Sequence, residues 1–384
     1  MKGNFPLEKI KRLETPFYFY DTELLRRTLT TVQTEAEKYG FLVHYAVKAN
    51  SNAKILKIIS SYGFGADCVS GNEIKASIEA GFPASKIVFA GVGKTDKEIN
   101  LAIDYDIFCF NVESLPELEV VNTLAAAKNK KVNVTLRINP NVDAHTHRHI
   151  TTGLEEHKFG FHWDDVTAVA GIIKNLNNVN LTGIHFHIGS QITDFSVFQV
   201  LCVQINELQD RMEKEGIQLQ DINIGGGLGI NYEHPNHFPI ADFETYFRLF
   251  RKNLRLREGQ VLRTEPGRSI VAQCGSLITT VNYVKLGKQK KFAIVDAGMT
   301  DLIRPALYDA YHRVENITSD EAEEVYDVVG PICESADVFQ KNMVMNGTKR
   351  GDLLAIRSAG AYGEMMSSRY NLRDIPPAYL SEEL

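Results

Sequence analysis

The sequence has 384 residues, of which 44% are hydrophobic and 23% are charged, so the chain is long enough for about two domains or for one barrel with an addition. No apolar run approaches the roughly 18 residues that a membrane-spanning helix needs. The sequence has 42 basic and 48 acidic residues, which gives a net charge of −6. It also lacks the basic block that general binding to nucleic acid requires. The five cysteines form no CxxC pair, which argues against a disulfide framework or a zinc site, and the opening residues MKGNFP lack a signal-peptide core, which favours the cytoplasm.

Short β-branched and aromatic runs alternate with amphipathic segments over the middle of the chain, which is the pattern of repeated βα units. The eight predicted strands cover residues 41–49, 64–69, 86–91, 107–112, 132–139, 181–189, 221–226 and 261–265. The predicted helices cover residues 51–62, 71–80, 114–128, 163–176, 194–215 and 243–256. Ser70 and Ser114 precede two of these helices as expected N-caps. Eight repeats over roughly 230 residues predict a (β/α)8 TIM barrel.

The pattern changes after Pro266. The strand-like runs that follow are 269–286, 291–295, 324–329, 343–345 and 352–356, and they predict an all-β domain of the sandwich type. The N-terminal run 16–20 is a further strand that we expect to join this β domain. The predicted division is therefore an N-terminal strand segment at 1–24, a barrel at 25–267 and a C-terminal β domain at 268–384.

Reactive groups of a barrel lie at the carboxyl ends of its strands, because the loops there converge over one mouth. Lys48 lies near the end of the first barrel strand in the run YAVKAN. Its apolar neighbours would desolvate the ammonium and lower its pKa, as an amine nucleophile requires. A lysine that simply reaches solvent from a strand end is the alternative.

The sixth strand ends in HFHIGS, and strand alternation places His185 and His187 on the same side. A metal pair, an imidazole stacked on a ring and two core histidines remain open, the last being the most common. The seventh strand ends in GGGLG, residues 225–229, whose backbone N–H groups suit an anion such as phosphate. This run does not fit GxGxxG, because Ile230 or Tyr232 takes the place of the third glycine.

Two further motifs carry reactive groups. The eighth strand ends in EPGR, which places Glu265 and Arg268 at the barrel mouth, where a surface ion pair is the alternative. In the β domain, the run GPICESAD places the Cys333 thiol beside the Glu334 carboxylate. A buried structural cysteine is the alternative for this isolated thiol.

Two motifs that resemble binding sites are set aside. The run GVGKT at 91–95 resembles the end of a P-loop, but the pattern GxxxxGK[ST] requires glycine at Val88. The run HTHRH at 145–149 alternates as metal ligands do, but no carboxylate or cysteine stands at a set spacing from it.

Taken in order, seven motifs resemble the fold-type III pyridoxal-phosphate decarboxylases from about Thr15 to Tyr379. They are YAVKAN, HFHIGSQ, GGGLGI, EPGR, LIRPALYDAYH, GPICESAD and GAYG. The resemblance implies a barrel with a β-sandwich domain, pyridoxal 5'-phosphate as the cofactor, and a homodimer with active sites at its interface. Many relatives continue with a further tail strand beyond the run YNLR at 370–373, so the edge of the β domain is where we expect a difference.

The resemblance also implies a role for each matching residue. Lys48 would bind the cofactor covalently, Glu265 would contact its pyridine nitrogen, and His187 would stack on its ring. The remaining cofactor contacts implied are Ser190, Gly227, Gly267, Arg268 and Tyr362. Cys333 would be the proton donor, supplied by the partner subunit.

The implied reaction is decarboxylation of meso-2,6-diaminopimelate to L-lysine, the last step of lysine biosynthesis. The distal carboxylate of this substrate needs cationic donors, and the resemblance assigns Arg268, Arg304 and Tyr308 to it. The distal amine needs an anion, which Glu334 would supply. Tyr362 would also contact the substrate. Decarboxylation of ornithine, arginine or carboxynorspermidine is the runner-up on the same fold. An alanine-racemase-like activity, a Schiff-base aldolase without the cofactor and an inactive regulatory homologue are further alternatives.

Overall fold

The strands form where apolar residues of short runs are buried together. The computed structural model describes residue 3 and residues 5–140 and 158–384. The strands in chain order are β1 (Phe17–Tyr20), β2 (Leu42–Ala46), β3 (Gly65–Cys68), β4 (Ile87–Phe89), β5 (Cys109–Val112), β6 (Val132–Asn139), β7 (Phe161–His162), β8 (Val179–Phe186), β9 (Asp221–Asn223), β10 (Val261–Thr264), β11 (Gly275–Leu286), β12 (Lys291–Val295), β13 (Val314–Asn316), β14 (Glu323–Val329), β15 (Val338–Asn346), β16 (Leu353–Ile356) and β17 (Ala378–Leu380).

Helices lie between the barrel strands and at several other positions of the chain. They are α1 (Leu7–Ile10), α2 (Thr22–Glu37), α3 (Ala53–Ser60), α4 (Gly71–Glu79), α5 (Asp96–Asp104), α6 (Leu115–Ala127), α7 (Val166–Ile173), α8 (Ser196–Lys214), α9 (Phe243–Asn253), α10 (Arg268–Val271) and α11 (Arg304–Tyr308). The expected N-caps are confirmed, because the Ser70 hydroxyl accepts from the N–H of Glu73 and the Ser114 hydroxyl from that of Glu117. No helix of the described ranges combines the length and the apolarity needed to cross a membrane.

Eight strands close into a parallel barrel, as predicted. The pairing order is β2, β3, β4, β5, β6, β8, β9 and β10, and β10 pairs with β2 to complete the ring. The register Ala46↔Asp67 and Arg263↔Leu42 brings the carboxyl ends of neighbouring strands to one side. The short strand β7 adds to β6 outside the ring. Side chains at these strand ends therefore converge, as a barrel requires.

A separate mixed sheet contains β1 and the strands that follow the barrel. Its order is β13, β16, β11, β12, β14 and β15, with β1 antiparallel to β11 and β17 parallel to β1. Its core includes Phe17, Phe19, Ile278 and Leu353. The N-terminal strand thus belongs to the β domain, as predicted. We expected a difference from the relatives at the edge that follows the run 370–373, and in this chain β17 lies there and pairs with β1.

One predicted strand begins later than expected. The run 269–286 was predicted to be extended throughout, but Arg268–Val271 forms a helical turn and β11 begins only at Gly275. The N–H of Ala272 bonds to the Arg268 carbonyl at 2.9 Å and closes that turn. An apolar run that is buried on all sides has no period from which to distinguish a strand from a turn of helix.

Contacts between residues divide the chain into two units. The first contains Met1–Thr28, Ile230–Ala241 and Arg268–Leu384, and the second contains Leu29–Gly229 and Asp242–Gly267. The second unit is the barrel. The segment Ile230–Ala241 belongs to the first unit although it lies in the chain between two barrel strands.

Candidate active site

The barrel unit contains a cavity of about 460 Å³ at the carboxyl ends of its strands. Three residues predicted from separate motifs, Lys48, His187 and Glu265, all line it. The sequence analysis did not single out Asp67 and Arg137, which line it as well. The structure therefore brings the cofactor-binding candidates of the barrel together in one place.

Lys48 enters the cavity from a short helical turn directly after β2. Its Nζ lies 3.1 Å from Oδ2 of Asp67, the third residue of β3. The Asp67 side chain is only 1% exposed, whereas that of Lys48 is 35% exposed. Burial and the charge of Glu265 raise the pKa of Asp67, against the attraction of Lys48. The amine is thus held at the cavity by a buried carboxyl group and still reaches open space.

Glu265 is the centre of a buried polar network at the end of β10. Its Oε2 lies 2.9 Å from Nε2 of His185, and its Oε1 accepts hydrogen bonds from the side-chain amides of Asn223 at 2.7 Å and Asn111 at 3.4 Å. Burial alone would raise the pKa of Glu265, but the interactions with His185 and Lys48 outweigh it and hold the pKa well below its usual range. The site therefore contains a carboxylate that stays ionised away from water.

The two asparagines around Glu265 have fixed orientations. The Asn111 Oδ1 accepts from the Thr135 hydroxyl at 2.6 Å, and the Asn223 Oδ1 accepts from the N–H of Gly225 at 2.9 Å. Each amide therefore turns its NH2 group to the carboxylate. This orientation also ties the network to the first residue of the glycine run.

The two histidines of HFHIGS have different surroundings. His185 contacts Glu265 through Nε2, while Nδ1 of His187 accepts from the N–H of Gly226 at 3.4 Å. Burial, followed by the charges of Lys48 and Arg137, lowers the pKa of His187 well below its usual value. His187 is thus a neutral ring at the cavity. The alternative of two core histidines satisfied by the backbone is wrong for His185, because its Nε2 contacts the Glu265 carboxylate.

The metal pair was the other alternative. The described residues hold no group of three His, Cys, Asp or Glu side chains placed for a metal ion. The run 145–149 lies outside the described residues.

The glycine run and the Ser190 turn lie side by side. The N–H of Ile192 bonds to the Gly227 carbonyl at 2.8 Å, and that of Gly229 bonds to the Ile192 carbonyl at 2.9 Å. Gly227 has φ +113°, and a Cβ there would lie 3.0 Å from the Gly189 carbonyl oxygen. A side chain at this position would be strained, which explains the glycine. Gly267 also packs closely, since a Cβ there would lie 3.0 Å from the Cβ atoms of Ala46, the last residue of β2, and of Ala49.

The P-loop-like run at 91–95 has a structural role. Thr95 forms a capping box with Glu98 at the start of α5, and Lys94 pairs with Glu117 at 2.6 Å in a nearly buried ion pair. The N–H of Gly91 donates to Glu113, whose carboxylate also pairs with Arg137 at 2.7 Å. These charges neutralise each other inside the barrel.

The other unit contains a pair of buried arginines. Arg268 and Arg304 both donate to the Tyr232 hydroxyl, at 2.7 and 3.0 Å. Arg304 also donates to Nε2 of His312 at 2.8 Å, while its Nε has no hydrogen-bond partner among the described residues. Within the described ranges, no carboxylate forms an ion pair with Arg304, although this residue is only 5% exposed. A buried cation without an anion is costly.

Two predicted tyrosines lie in this same unit. The Arg268 guanidinium lies 4.9 Å from the centre of the Tyr362 ring, and Tyr362 has a left-handed backbone with φ +56°. Such a conformation is uncommon for an aromatic residue and is typical of functional loops. Tyr308 ends α11, four residues after Arg304 and on the same helical face.

Cys333 and Glu334 lie in an exposed loop of this unit. Cys333 is exposed, whereas the other four cysteines are buried and all five are free thiols. The alternative of a buried structural cysteine is therefore wrong for Cys333. The Tyr370 hydroxyl donates to Oε1 of Glu334 at 2.7 Å, and the Asn371 Oδ1 accepts from the N–H of Cys333 at 3.4 Å.

The base of this loop is fixed by Asp337. Its side chain accepts from the N–H groups of Met299 at 2.6 Å and Ile332 at 2.7 Å. A Cβ at Gly330 would lie 2.4 Å from Oδ2 of Asp337, so the loop needs glycine there. The thiol and the carboxylate are thus presented outward from a fixed base.

Comparison with known proteins assigns the family. Residues 23–272 match the model described as pyridoxal-dependent decarboxylase, pyridoxal binding domain. The chain is 60% identical over 385 aligned residues to diaminopimelate decarboxylase of Bacteroides thetaiotaomicron, with 100% of both chains covered. It is 44% identical to that of Neisseria meningitidis serogroup B, with 94% of this chain and 86% of the relative covered. The chain belongs to the diaminopimelate decarboxylase family of pyridoxal-dependent decarboxylases.

Solved structures of the diaminopimelate decarboxylase family have the same fold. The protein from Helicobacter pylori complexed with L-lysine matches with a TM-score of 0.93 at 37% identity, covering 98% of this chain and 94% of that one. The lysine/ornithine decarboxylase of Vibrio vulnificus, at 20% identity and a TM-score of 0.84, shares the fold alone.

The residues of the barrel cavity fit the cofactor of the family, pyridoxal phosphate. Lys48 supplies a primary amine that is partly exposed, Glu265 an ionised carboxylate for a protonated ring nitrogen, and His187 a neutral ring for stacking. The glycine run packs against the carbonyl groups of Glu265 and Gly189, so it admits no Cβ at Gly226 or Gly227 without close contacts. These are the chemical features that a phosphorylated pyridine aldehyde requires.

Proposed function

We propose that this protein removes CO2 from meso-2,6-diaminopimelate and releases L-lysine, as the last step of lysine biosynthesis. The observation that carries the substrate assignment is the buried Arg304, which has no acidic partner among the described residues. A ligand carboxylate would supply the missing anion. Ornithine and arginine carry a cationic group at the distal end, so a pair of arginines would repel them.

The barrel residues bind and orient the cofactor in this proposal. Bound pyridoxal phosphate supplies the electron sink for the carbon–carbon bond that breaks. Lys48 holds the cofactor covalently and Asp67 keeps the amine at the cavity. Glu265 keeps the ring nitrogen protonated, because its carboxylate stays ionised. His187 covers one face of the ring.

The phosphate and the substrate need further contacts. We assign the phosphate to Ser190, Gly227 and Gly267. The backbone of the run 265–268 and the Tyr362 hydroxyl complete its contacts in this proposal. Arg268 and Arg304, with Tyr308, bind the distal carboxylate of the substrate. Glu334 binds the distal amine, and its hydrogen bond to Tyr370 fixes its direction.

Loss of CO2 must be balanced by a proton at the same carbon. We propose that the Cys333 thiol of the partner subunit donates it. The exposure of Cys333 in the single chain supports this role, because a loop that completes another subunit's site has to project from its own. The protein is therefore proposed to be a homodimer with shared active sites.

The proposal also assigns a role to each domain and a cellular location to the protein. The predicted barrel, residues 25–267, is proposed to bind the cofactor, except that its segment Ile230–Ala241 belongs to the unit of the β domain together with the two ends of the chain. We propose a cytoplasmic location, since all five cysteines are free thiols, as in reducing compartments.

Borohydride reduction of the cofactor-loaded enzyme should fix a phosphopyridoxyl group on Lys48, because its amine reaches the cavity. Mass mapping of the peptides identifies the labelled lysine. Lys94 is the matched control, since it lines the same cavity but its ammonium is 1% exposed and paired with Glu117. A label on Lys94, or on any lysine other than Lys48, contradicts the assignment.

Arg304→Ala should lower kcat/KM for meso-diaminopimelate on the order of tenfold to a hundredfold, because a charge-assisted hydrogen bond of roughly 1.5–3 kcal/mol is lost. Release of CO2 from a panel of diamino acids measures this. Arg350→Ala is the control, since Arg350 is exposed and stacks on Tyr283; it should leave turnover unchanged. Normal turnover by Arg304→Ala, or a wild-type preference for ornithine, would show that the substrate is another one.

Mixing Lys48→Ala with Cys333→Ala tests the shared site. Each variant alone should be inactive, and exchange of subunits should restore activity to about a quarter of wild type, because half the dimers are mixed and each has one intact site. Native mass spectrometry establishes that the subunits exchange. If exchange occurs without recovery of activity, Cys333 acts in the same chain as its lysine.

A further inference from the structure

Tyr232 is a buried tyrosine that the proposed reaction does not use. Its residue is 8% exposed, and Arg268 and Arg304 are each 5% exposed. The hydroxyl oxygen accepts one hydrogen bond from each arginine, at 2.7 and 3.0 Å. A phenol oxygen has two acceptor lone pairs, and both are used here.

Two buried guanidinium groups that converge on one atom repel each other. A phenol can join them without cancelling their charge, whereas a carboxylate in its place would form ion pairs with both. The charges of Arg268 and Arg304 more than offset the effect of burial, and the pKa of Tyr232 is lowered. The Tyr232 oxygen therefore accepts a hydrogen bond from both cations, as a neutral hydroxyl group can.

The surroundings fix the second arginine further. The Arg304 guanidinium lies 5.1 Å from the centre of the Tyr232 ring, and Nε2 of His312 accepts from it at 2.8 Å. The other nitrogen of His312, Nδ1, lies 2.8 Å from the Arg357 carbonyl, and burial, followed by Arg304, lowers the pKa of His312 well below its usual value. In the part of the chain that the structure describes, the hydrogen-bond acceptors of Arg304 are thus neutral groups.

We propose that Tyr232 is a positioning residue that fixes the Arg268 and Arg304 guanidinium groups as one receptor for a carboxylate, and so sets the specificity for ligands that carry a distal carboxylate. This inference rests on the proposed function, because it assigns the same arginines to the substrate. Tyr232 acts through the arginines and does not touch the reacting carbon. It follows the glycine run GGGLG by three residues, at the place where a GxGxxG motif would have its third glycine.

Tyr232→Phe tests the role of the oxygen alone, because the ring below Arg304 remains. Two ligands separate the carboxylate from the amines: L-lysine, and 1,5-diaminopentane, which has the same two amines without the carboxylate. Calorimetry on the cofactor-loaded enzyme should show L-lysine binding weakened about tenfold and 1,5-diaminopentane binding changed by less than about twofold. For meso-diaminopimelate, KM should rise about tenfold with little change in kcat.

Tyr326→Phe is the matched control. Tyr326 is a buried tyrosine on β14 of the same unit, and its hydroxyl accepts from the N–H of Thr348 at 2.9 Å. Its loss of a hydroxyl should change neither affinity. Tyr232→Glu is a second variant that introduces an anion between the arginines, so it should weaken L-lysine at least as much as Tyr232→Phe and leave 1,5-diaminopentane bound.

The outcomes separate this inference from the proposed function. If Tyr232→Phe or Tyr232→Glu weakens both ligands equally, or weakens neither, Tyr232 does not position the arginines for a carboxylate, while the function stands. If the wild-type enzyme itself binds 1,5-diaminopentane as tightly as L-lysine, the arginine pair recognises no carboxylate. That result overturns the proposed substrate and this inference with it.

Discussion

The buried carboxylate of Glu265 is the constraint on which the barrel site depends. An ionised group away from water is stable only when hydrogen-bond donors surround it, and here His185, Asn111 and Asn223 provide them at 2.7 to 3.4 Å. Four strands, β5, β8, β9 and β10, must bring these residues to one level of the barrel for the contacts to form. The parallel closure of the barrel supplies that alignment, and it places Lys48 at the same cavity.

Most buried cations of the chain have an acidic partner, and Arg304 differs from them. Even in the unit that contains Arg304, Arg357 pairs with Glu315 at 2.8 Å. In the barrel, Arg137 pairs with Glu113 and Lys94 pairs with Glu117, so these cations are compensated within the chain. In the other unit, Arg304 has only neutral partners among the described residues. Compensated charges stabilise a structure, whereas an uncompensated one creates a place for an anionic ligand. This difference is why the arginine pair, and not the barrel pairs, carries the substrate proposal.

Much of the barrel could be predicted from the sequence, because its strands and helices have clear periods. Lys48, His187 and Glu265 were found because motifs and strand ends marked them. Asp67 and Asn111 could not be predicted in this way. Each is the third residue of a four-residue buried strand, and a single polar residue in such a short strand forms no pattern. Tyr232 had no signal beyond the absence of a glycine, since its role depends on arginines 36 and 72 residues away.

In the β domain, the prediction was less complete. The strands β13 and β17 are three residues each, too short to show alternation, and the helical turn at Arg268 interrupts a run that reads as a strand. The exposure of Cys333 also could not be decided from the sequence. Composition favours burial of an isolated cysteine, and only the loop held at its base by Asp337 shows that this thiol projects outward.

The ionisation of Glu265 is the most direct test of the account. Difference infrared spectra between the wild-type enzyme and Glu265→Gln isolate the band of this one side chain. Because its pKa lies well below the usual range, the spectra should show an ionised carboxylate throughout the range from about pH 5 to pH 8. A protonated carbonyl band from Glu265 in that range would contradict the account, since a neutral acid could not keep a ring nitrogen protonated.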